Sequence, residues 1–152
     1  DYIFITQRFG KTVDAKRLYV SGTHNGVDFR AAMGTPVKAV LAGVITGVGD
    51  TDRACPGASY GKWVLIKHAN GLSTVYSHLS LIKAVAGETV TTGQIIAYSG
   101  SSGYSTGPHL HLGVLATQGV KVGEYASKSC AGAILTMPLI SIDAYLDPLI
   151  YL

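Results

Sequence analysis

The segment GPHLHLGV, residues 107–114, places two histidines two positions apart in an otherwise apolar run. Because residues i and i+2 of a strand share a face, this alternation predicts a half-buried β-strand. Leu110 and Leu112 then face the core. His109 and His111 lie together on the opposite face. Two imidazoles on one face are typical of a metal site, a proton-transfer site, or a metal ligand beside a general base, although a structural pair also fits the pattern.

Short β-branched runs separated by glycines make up most of the remaining chain, and they predict further strands. Asn70-Gly71 is a hairpin signal between two of them. The predicted strand segments are residues 37–48 with a bend at 42–43, 63–67, 72–76, 88–99 with a break at 93, and 109–115. The predicted loops are residues 54–60 and 117–133, and the one weak helical candidate is residues 12–17. This pattern indicates an all-β sandwich or barrel.

Composition excludes several classes of protein. The chain has 152 residues, of which 47% are hydrophobic and 14% charged, so we expect one globular domain and not a disordered segment. The net charge of +3 comes without a Lys/Arg run, which argues against nucleic acid as a partner but allows weak attraction to an anionic polymer. No apolar run approaches the roughly 20 residues of a membrane span, and the start at Asp1 suggests a mature or trimmed fragment.

The two cysteines, Cys55 and Cys130, have no CxxC spacing, which excludes a four-thiolate zinc site. We favour one disulfide between them over two unpaired core residues. It would close a loop of about 76 residues and contribute roughly 4 kcal/mol in the chain-entropy model. A disulfide would also imply an oxidising compartment.

A second polar pair occurs in the segment THNGVDF, where His24 and Asp28 lie four residues apart. Gly26 and the apolar residues Val27 and Phe29 argue against a helix, so we expect a turn that leads into a strand. A carboxylate between two apolar neighbours needs a partner, and a divalent cation is a suitable one. Two histidines and one carboxylate form a zinc set with an open fourth position. A His24–Asp28 surface pair is the simpler alternative.

Two further histidines carry weaker signals. His78 is predicted to share a strand face with Thr74 and Tyr76, and alone it would be an ordinary strand-end residue. His68 lies beside the Asn-Gly turn, and we expect it to be a surface or turn residue without a catalytic role.

Taken together, these motifs are similar to those of the LytM/lysostaphin-type zinc endopeptidases of bacterial peptidoglycan. The resemblance runs from His24 to Leu152 in four ordered blocks: GTHNGVDF from Gly22, GLSTVYSHLS from Gly71, GSSGYSTGPHLH from Gly100 and YLDPLIYL from Tyr145. It implies that His24, Asp28 and His111 are the zinc ligands. It also implies that His78 and His109 are the catalytic histidines close to the metal, and Tyr19 lies near the position of an assisting tyrosine.

The resemblance further implies an antiparallel β-sandwich of duplicated β units, the duplicated hybrid motif type, with a narrow active-site groove. The similarity of residues 39–47 to residues 84–93 agrees with such a duplication. We expect a single domain over residues 1–152, with its core at about 20–152 and a lead-in segment before it. Residues 50–61 and 119–142 exceed the simplest family pattern, and we expect them to reshape the groove walls.

The implied function is a zinc-dependent endopeptidase with one Zn²⁺ that hydrolyses peptidoglycan stem peptides or cross-bridges. A zinc-activated water would be the nucleophile. We slightly favour His109 as general base and His78 as stabiliser of the oxyanion. The protein would act as a monomer in an extracytoplasmic bacterial compartment, on either Gly-Gly or D-Ala–diaminopimelate bonds.

Three other functions compete with this interpretation. A non-catalytic LytM-like domain that binds the wall or regulates hydrolases would lack some of the ligands. A phosphocarrier with two facing histidines has no need of Asp28 or of a disulfide. A lipoyl- or biotin-type carrier needs a lysine at a turn tip, and the turns at 42–43 and 86–87 have none.

Overall fold

The computed structural model describes residues 4–12, 16 and 22–152. Its twelve described strands account for most of the regular structure. They are β1 Ile5–Gln7, β2 Val27–Arg30, β3 Pro36–Lys38, β4 Gly43–Asp50, β5 Lys62–Lys67, β6 Leu72–Ile82, β7 Thr89–Val90, β8 Ile95–Ser99, β9 His109–Ala116, β10 Val120–Ala126, β11 Ile134–Ile140 and β12 Tyr145–Leu146. A short helix, Pro148–Tyr151, follows β12. The helical candidate at 12–17 lies mostly outside the described residues.

Ten strands form one antiparallel sheet. Its main path runs β1-β2-β9-β6-β5-β4-β7, with β12 added to β9, β8 to β6 and β3 to β8. The predicted hairpin is present: β5 and β6 pair across a turn in which Gly71 has φ +80° and the Leu72 N–H donates to the Asn70 side chain at 3.2 Å. The antiparallel β architecture expected from the sequence is therefore confirmed.

The two similar segments, residues 39–47 and 84–93, lie against each other. β3 pairs with β8, and β4 pairs with β7. Reciprocal backbone hydrogen bonds extend this pairing: the Gly93 N–H donates to the Ala39 carbonyl, and the Gly87 N–H donates to the Ile45 carbonyl, both at 2.8 Å. The residues that line the core between these strands are apolar and almost fully buried, as half-buried strands require. They include Val37, Ile45, Ile66, Tyr76, Val90 and Ile96.

The prediction of a loop at 117–133 is wrong, because β10 lies within it and forms a two-stranded hairpin with β11. Exposed charged residues and Gly123 weaken the strand signal of β10, and Pro138 interrupts the pattern of β11. A two-stranded ribbon tolerates this proline because a strand edge does not need its N–H. Side chains of the hairpin cover a small apolar cluster around Trp63, whose Nε1 donates to the Thr136 carbonyl at 3.3 Å.

The predicted disulfide is confirmed. Cys55 and Cys130 are bonded, with their Cα atoms 5.8 Å apart. The bond joins the loop after β4 to the turn of the β10–β11 hairpin. None of the helices within the described part of the chain is long and apolar enough to cross a bilayer.

Candidate metal and catalytic site

Two neighbouring strands bring distant polar residues to one face of the sheet. In the antiparallel register of β2 and β9, Asp28 lies opposite His111. The alternation predicted from the sequence holds: Leu112 is buried in the core, Leu110 packs against it, and the two histidines of β9 lie on the other face. Sequence separation of 83 residues thus becomes a direct contact, with Asp28 Oδ1 2.8 Å from His111 Nδ1.

His24 enters the same site from the segment before β2. A pair of backbone hydrogen bonds with Gly10, 2.8 and 2.9 Å long, holds its main chain. Its Nδ1 donates to the Arg8 carbonyl at 3.0 Å. Because a carbonyl oxygen only accepts, this bond places the ring proton on Nδ1 and leaves Nε2 with a lone pair when the ring is neutral.

Three potential ligand atoms therefore converge. His24 Nε2 lies 3.2 Å from Asp28 Oδ1 and 3.2 Å from His111 Nδ1, and all three residues are at most 7% exposed. Two ligand atoms at 2.0–2.1 Å from one tetrahedral ion are about 3.3 Å apart, so these spacings fit a zinc ion. When both rings are neutral and present lone pairs to the carboxylate, a cation between the three buried atoms offsets the cost of burying them. The donor set fits a metal on this ground.

The charge state of the three residues also suits a cation. Burial alone would raise the pKa of Asp28, but its close polar and electrostatic interactions with His111 and His24 outweigh burial and hold that pKa well below its ordinary value. Burial lowers the pKa of His111, which favours the neutral ring. A charged carboxylate and neutral imidazoles are the forms that bind a metal.

Two more histidines surround this cluster. His109 Nδ1 donates to the Gly107 carbonyl at 2.8 Å, and its Nε2 lies 3.8 Å from Asp28 Oδ1. His78 Nδ1 donates to the Ser102 carbonyl at 2.8 Å. The His78 ring centroid is 4.8 Å from that of His109 and 5.9 Å from that of His111. In both neutral rings the lone pair is therefore on Nε2.

The predicted strand face of His78 is wrong. Tyr76 points into the core, whereas His78 contacts the two histidines of β9 on the opposite face. The reason is an irregularity in β6, where pairing with β5 shifts register and His78 takes φ +60°. Such a bulge re-aims a side chain. Burial, followed by the charges of His111 and His109, lowers the pKa of His78 to about 3.

His68 is buried, contrary to the expected surface position, because the turn beside it folds back onto β4. Its Nδ1 lies 2.9 Å from the Ala42 carbonyl and its Nε2 2.8 Å from Thr74 Oγ1, so both ring nitrogens have structural partners. Tyr19 lies outside the described residues.

A groove of about 280 Å³ opens beside His78 and His111. Its walls include residues that the sequence reasoning did not identify singly: Asn25, Ser59, Tyr60, Tyr104 and Met137. Ser59 and Tyr60 belong to the loop that carries Cys55, and Met137 belongs to β11. The only sequence signal for them was the extra length at 50–61 and 119–142, which was expected to reshape the groove.

Comparisons with known proteins agree with this geometry. The model of peptidase family M23 matches residues 22–124. The DD-carboxypeptidase/endopeptidase Mpg of Neisseria meningitidis is 47% identical over 88 residues, which are 58% of this chain and 19% of Mpg. The peptidoglycan DD-endopeptidase ShyA of Vibrio cholerae is 40% identical over 108 residues, which are 68% of this chain and 24% of ShyA. The chain spans about a fifth to a quarter of these relatives.

Structural similarity extends over nearly the whole chain. The catalytic domain of the antimicrobial peptidase lysostaphin from Staphylococcus simulans matches with a TM-score of 0.70 at 28% identity. The match covers 98% of this chain and 91% of that domain.

Proposed function

Since the chain belongs to peptidase family M23, we propose that it is a zinc-dependent endopeptidase that hydrolyses peptide bonds in the stem peptides or cross-bridges of bacterial peptidoglycan. The observation that carries this proposal is the convergence of three buried potential ligand atoms, from His24, Asp28 and His111, beside two further histidines.

The ligands of the proposed site are His24 Nε2, Asp28 Oδ1 and His111 Nδ1. When bound, zinc supplies a Lewis acid that polarises a carbonyl group and acidifies a water molecule. The chain's own contribution is the orientation of the ligands: the Arg8 carbonyl fixes the His24 tautomer, and the β2–β9 register fixes the approach of Asp28 to His111.

We assign proton transfer to His109. Its Nε2 carries a lone pair and lies nearest the ligand cluster, 3.8 Å from Asp28 Oδ1. It takes a proton from the attacking water as the new C–O bond forms, and it returns that proton to the amine nitrogen as the C–N bond breaks. His78 presents the same lone pair, and its lowered pKa argues that it stays neutral. We therefore propose that His78 orients the water by accepting a hydrogen bond, in place of donating one to the oxyanion.

The relatives and the disulfide support the proposed substrate and compartment. ShyA is named a peptidoglycan DD-endopeptidase and Mpg a DD-carboxypeptidase/endopeptidase. The Cys55–Cys130 bond suits an oxidising, extracytoplasmic location. The competing function, a non-catalytic domain that binds the wall or regulates hydrolases, does not require five intact polar residues at one site.

Digestion of purified sacculi tests the proposal. We expect the zinc-loaded protein to release new amino termini, and mass spectrometry of the muropeptides to show cleaved peptides with intact glycan strands. Exhaustive chelation should abolish the release, and one equivalent of zinc should restore it. Zinc-loaded protein that binds sacculi without releasing amines would favour the non-catalytic alternative.

A further inference from the structure

The loop that carries Cys55, residues 51–61, lies against the loop after β8, residues 100–108. Gly61 and Gly103 meet backbone to backbone, with φ values of +62° and +71°. A Cβ atom on Gly61 would lie 2.4 Å from the Gly103 nitrogen, and one on Gly103 would lie 2.3 Å from the Gly61 nitrogen. Neither glycine has room for a side chain, so a displacement of one loop displaces the other.

The carboxylate of Asp52 joins the same two loops. Its Oδ1 accepts from the Gly57 N–H at 2.9 Å within its own loop. Its Oδ2 accepts from the Gly103 N–H at 3.0 Å in the neighbouring loop. Hydrogen bonds to an ionised acceptor are about twice as strong as neutral ones. Among the side-chain hydrogen bonds of the described residues, those of the Asp52 carboxylate therefore join the two loops most strongly.

The residue before Gly103 holds the imidazole of His78. The Ser102 carbonyl accepts from His78 Nδ1 at 2.8 Å. The Ser102 hydroxyl accepts from the Lys62 N–H at 3.0 Å and donates to the Leu79 carbonyl. On the other side, the Tyr60 carbonyl accepts from the backbone N–H of His78 at 2.8 Å. Both loops therefore hold His78.

His78 needs this support because its backbone lies in the left-handed region, at φ +60°. A residue other than glycine is strained in this region and persists only where the surrounding structure holds it. The two loops are that surrounding structure, and the Cys55–Cys130 bond anchors the first of them to the β10–β11 hairpin.

We propose that Asp52 is a positioning residue that sets the orientation and the tautomer of His78 through Gly103 and the Ser102 carbonyl. The inference rests on the proposed function for its effect on catalysis. The side-chain hydrogen bonds of Asp52 run to Gly57 and Gly103, which are neither proposed ligands nor groove residues. Without its carboxylate the Gly103 N–H has lost its acceptor, the Ser102 carbonyl shifts, and the His78 ring occupies additional orientations.

Asp52→Ala tests the proposal in the zinc-loaded protein, with Asp143→Ala as the matched control because Asp143 is an exposed aspartate in the turn at 142–144. We expect Asp52→Ala to keep one bound zinc and an unchanged KM but to lower kcat by about 10–100-fold, because a misplaced His78 orients the water less often. Asp52→Asn keeps one acceptor oxygen and should recover part of the loss.

Nuclear magnetic resonance supplies a readout that does not depend on hydrolysis. The protected Nδ1–H proton of His78, assigned by its disappearance in His78→Gln, should broaden or vanish in Asp52→Ala and persist in Asp143→Ala. A wild-type Nδ1–H signal in Asp52→Ala would overturn the proposal, as would an unchanged kcat. If Asp52→Ala does not fold, Asp52→Asn with a wild-type signal and kcat has the same meaning. Absence of hydrolysis by the wild type would reject the proposed function. The Nδ1–H signal of His78 would still test whether Asp52 positions that ring.

Discussion

At the scale of single residues, the five polar side chains of the site differ in which atom faces the centre of the cluster. His24 and His111 present different ring nitrogens, Nε2 and Nδ1, to Asp28. His109 lies two residues before His111 on β9, and its Nε2 is 3.8 Å from the same carboxylate oxygen. Because His111 Nδ1 lies 2.8 Å and His109 Nε2 3.8 Å from Asp28 Oδ1, we propose His111 as the metal ligand and His109 as the proton-transfer residue.

This assignment predicts opposite outcomes for two neighbouring histidines. His109→Ala should keep one bound zinc and lower turnover by about 10²–10⁴-fold, the usual contribution of a general base. His111→Ala should lose the metal and activity together, because two ligands do not hold a structural or catalytic zinc. Metal content by mass spectrometry and turnover on one peptide substrate check both. Zinc that is lost from His109→Ala and kept by His111→Ala would reverse the roles.

At the scale of elements, the turn before β2 has to let the His111 ring approach closely. A Cβ atom on Gly26 would lie 2.5 Å from the Leu112 carbonyl and 2.7 Å from two atoms of the His111 ring. The carbonyl belongs to the β9 backbone and cannot move aside, so a side chain here would push β2 and β9 apart or turn the ring.

Gly26→Ala should therefore weaken zinc affinity by about 10–100-fold while the protein stays folded. Gly107→Ala is the matched control, because Gly107 lies in the loop before β9 and its added Cβ would meet no atom within 4 Å. Competition with a chromogenic chelator measures both affinities. Equal zinc affinities for the two variants would contradict this account of Gly26.

Strand alternation predicted some of these elements and missed others for physical reasons. It predicted β9 and β2 well, since Leu110, Leu112, Val27 and Phe29 mark a buried face that leaves the polar residues together. It misplaced His78, because a bulge with φ +60° is not visible in the pattern of side chains. It also missed β10, whose exposed hairpin buries too little apolar surface to show a clear period.

At the scale of the whole molecule, the site depends on contacts that no local pattern contains. The resemblance carried the ligand set from residue types and order alone. The extra length at 50–61 and 119–142 indicated which segments form the groove walls but not which residues, because Ser59 and Met137 meet only in the folded chain, where the Cys55–Cys130 bond joins the loop to the hairpin. The imidazoles of His24, His78 and His109 each contact a backbone carbonyl, and the identity of that carbonyl depends on the fold and not on the residue type.

Burial of neutral histidines predicts that the metal-free protein loses stability as the pH falls. The pKa of His78 is about 3 in the folded chain, below its ordinary 6.5, so between these values the unfolded chain binds a proton that the folded chain does not. The stabilisation is complete above pH 6.5 and declines towards pH 3, by up to about 1.4 kcal/mol per pH unit for one proton.

Urea denaturation of the chelated protein at pH 7, 6, 5 and 4 measures this slope. His78→Gln should reduce the slope of the free energy of unfolding against pH by the amount that corresponds to about one proton. The depressed pKa of Asp28 lowers the free energy of unfolding only below the ordinary value of 3.8. A wild-type free energy of unfolding that is the same at pH 7 and pH 4 would contradict the burial of a neutral His78.

The most direct test of the central claim is anomalous diffraction at the zinc absorption edge from crystals grown with one equivalent of zinc. The account expects a single strong peak about 2.0–2.2 Å from His24 Nε2, Asp28 Oδ1 and His111 Nδ1, with His78 and His109 outside bonding distance. A peak bonded to His109 instead of His111, or no peak among these residues, would contradict it.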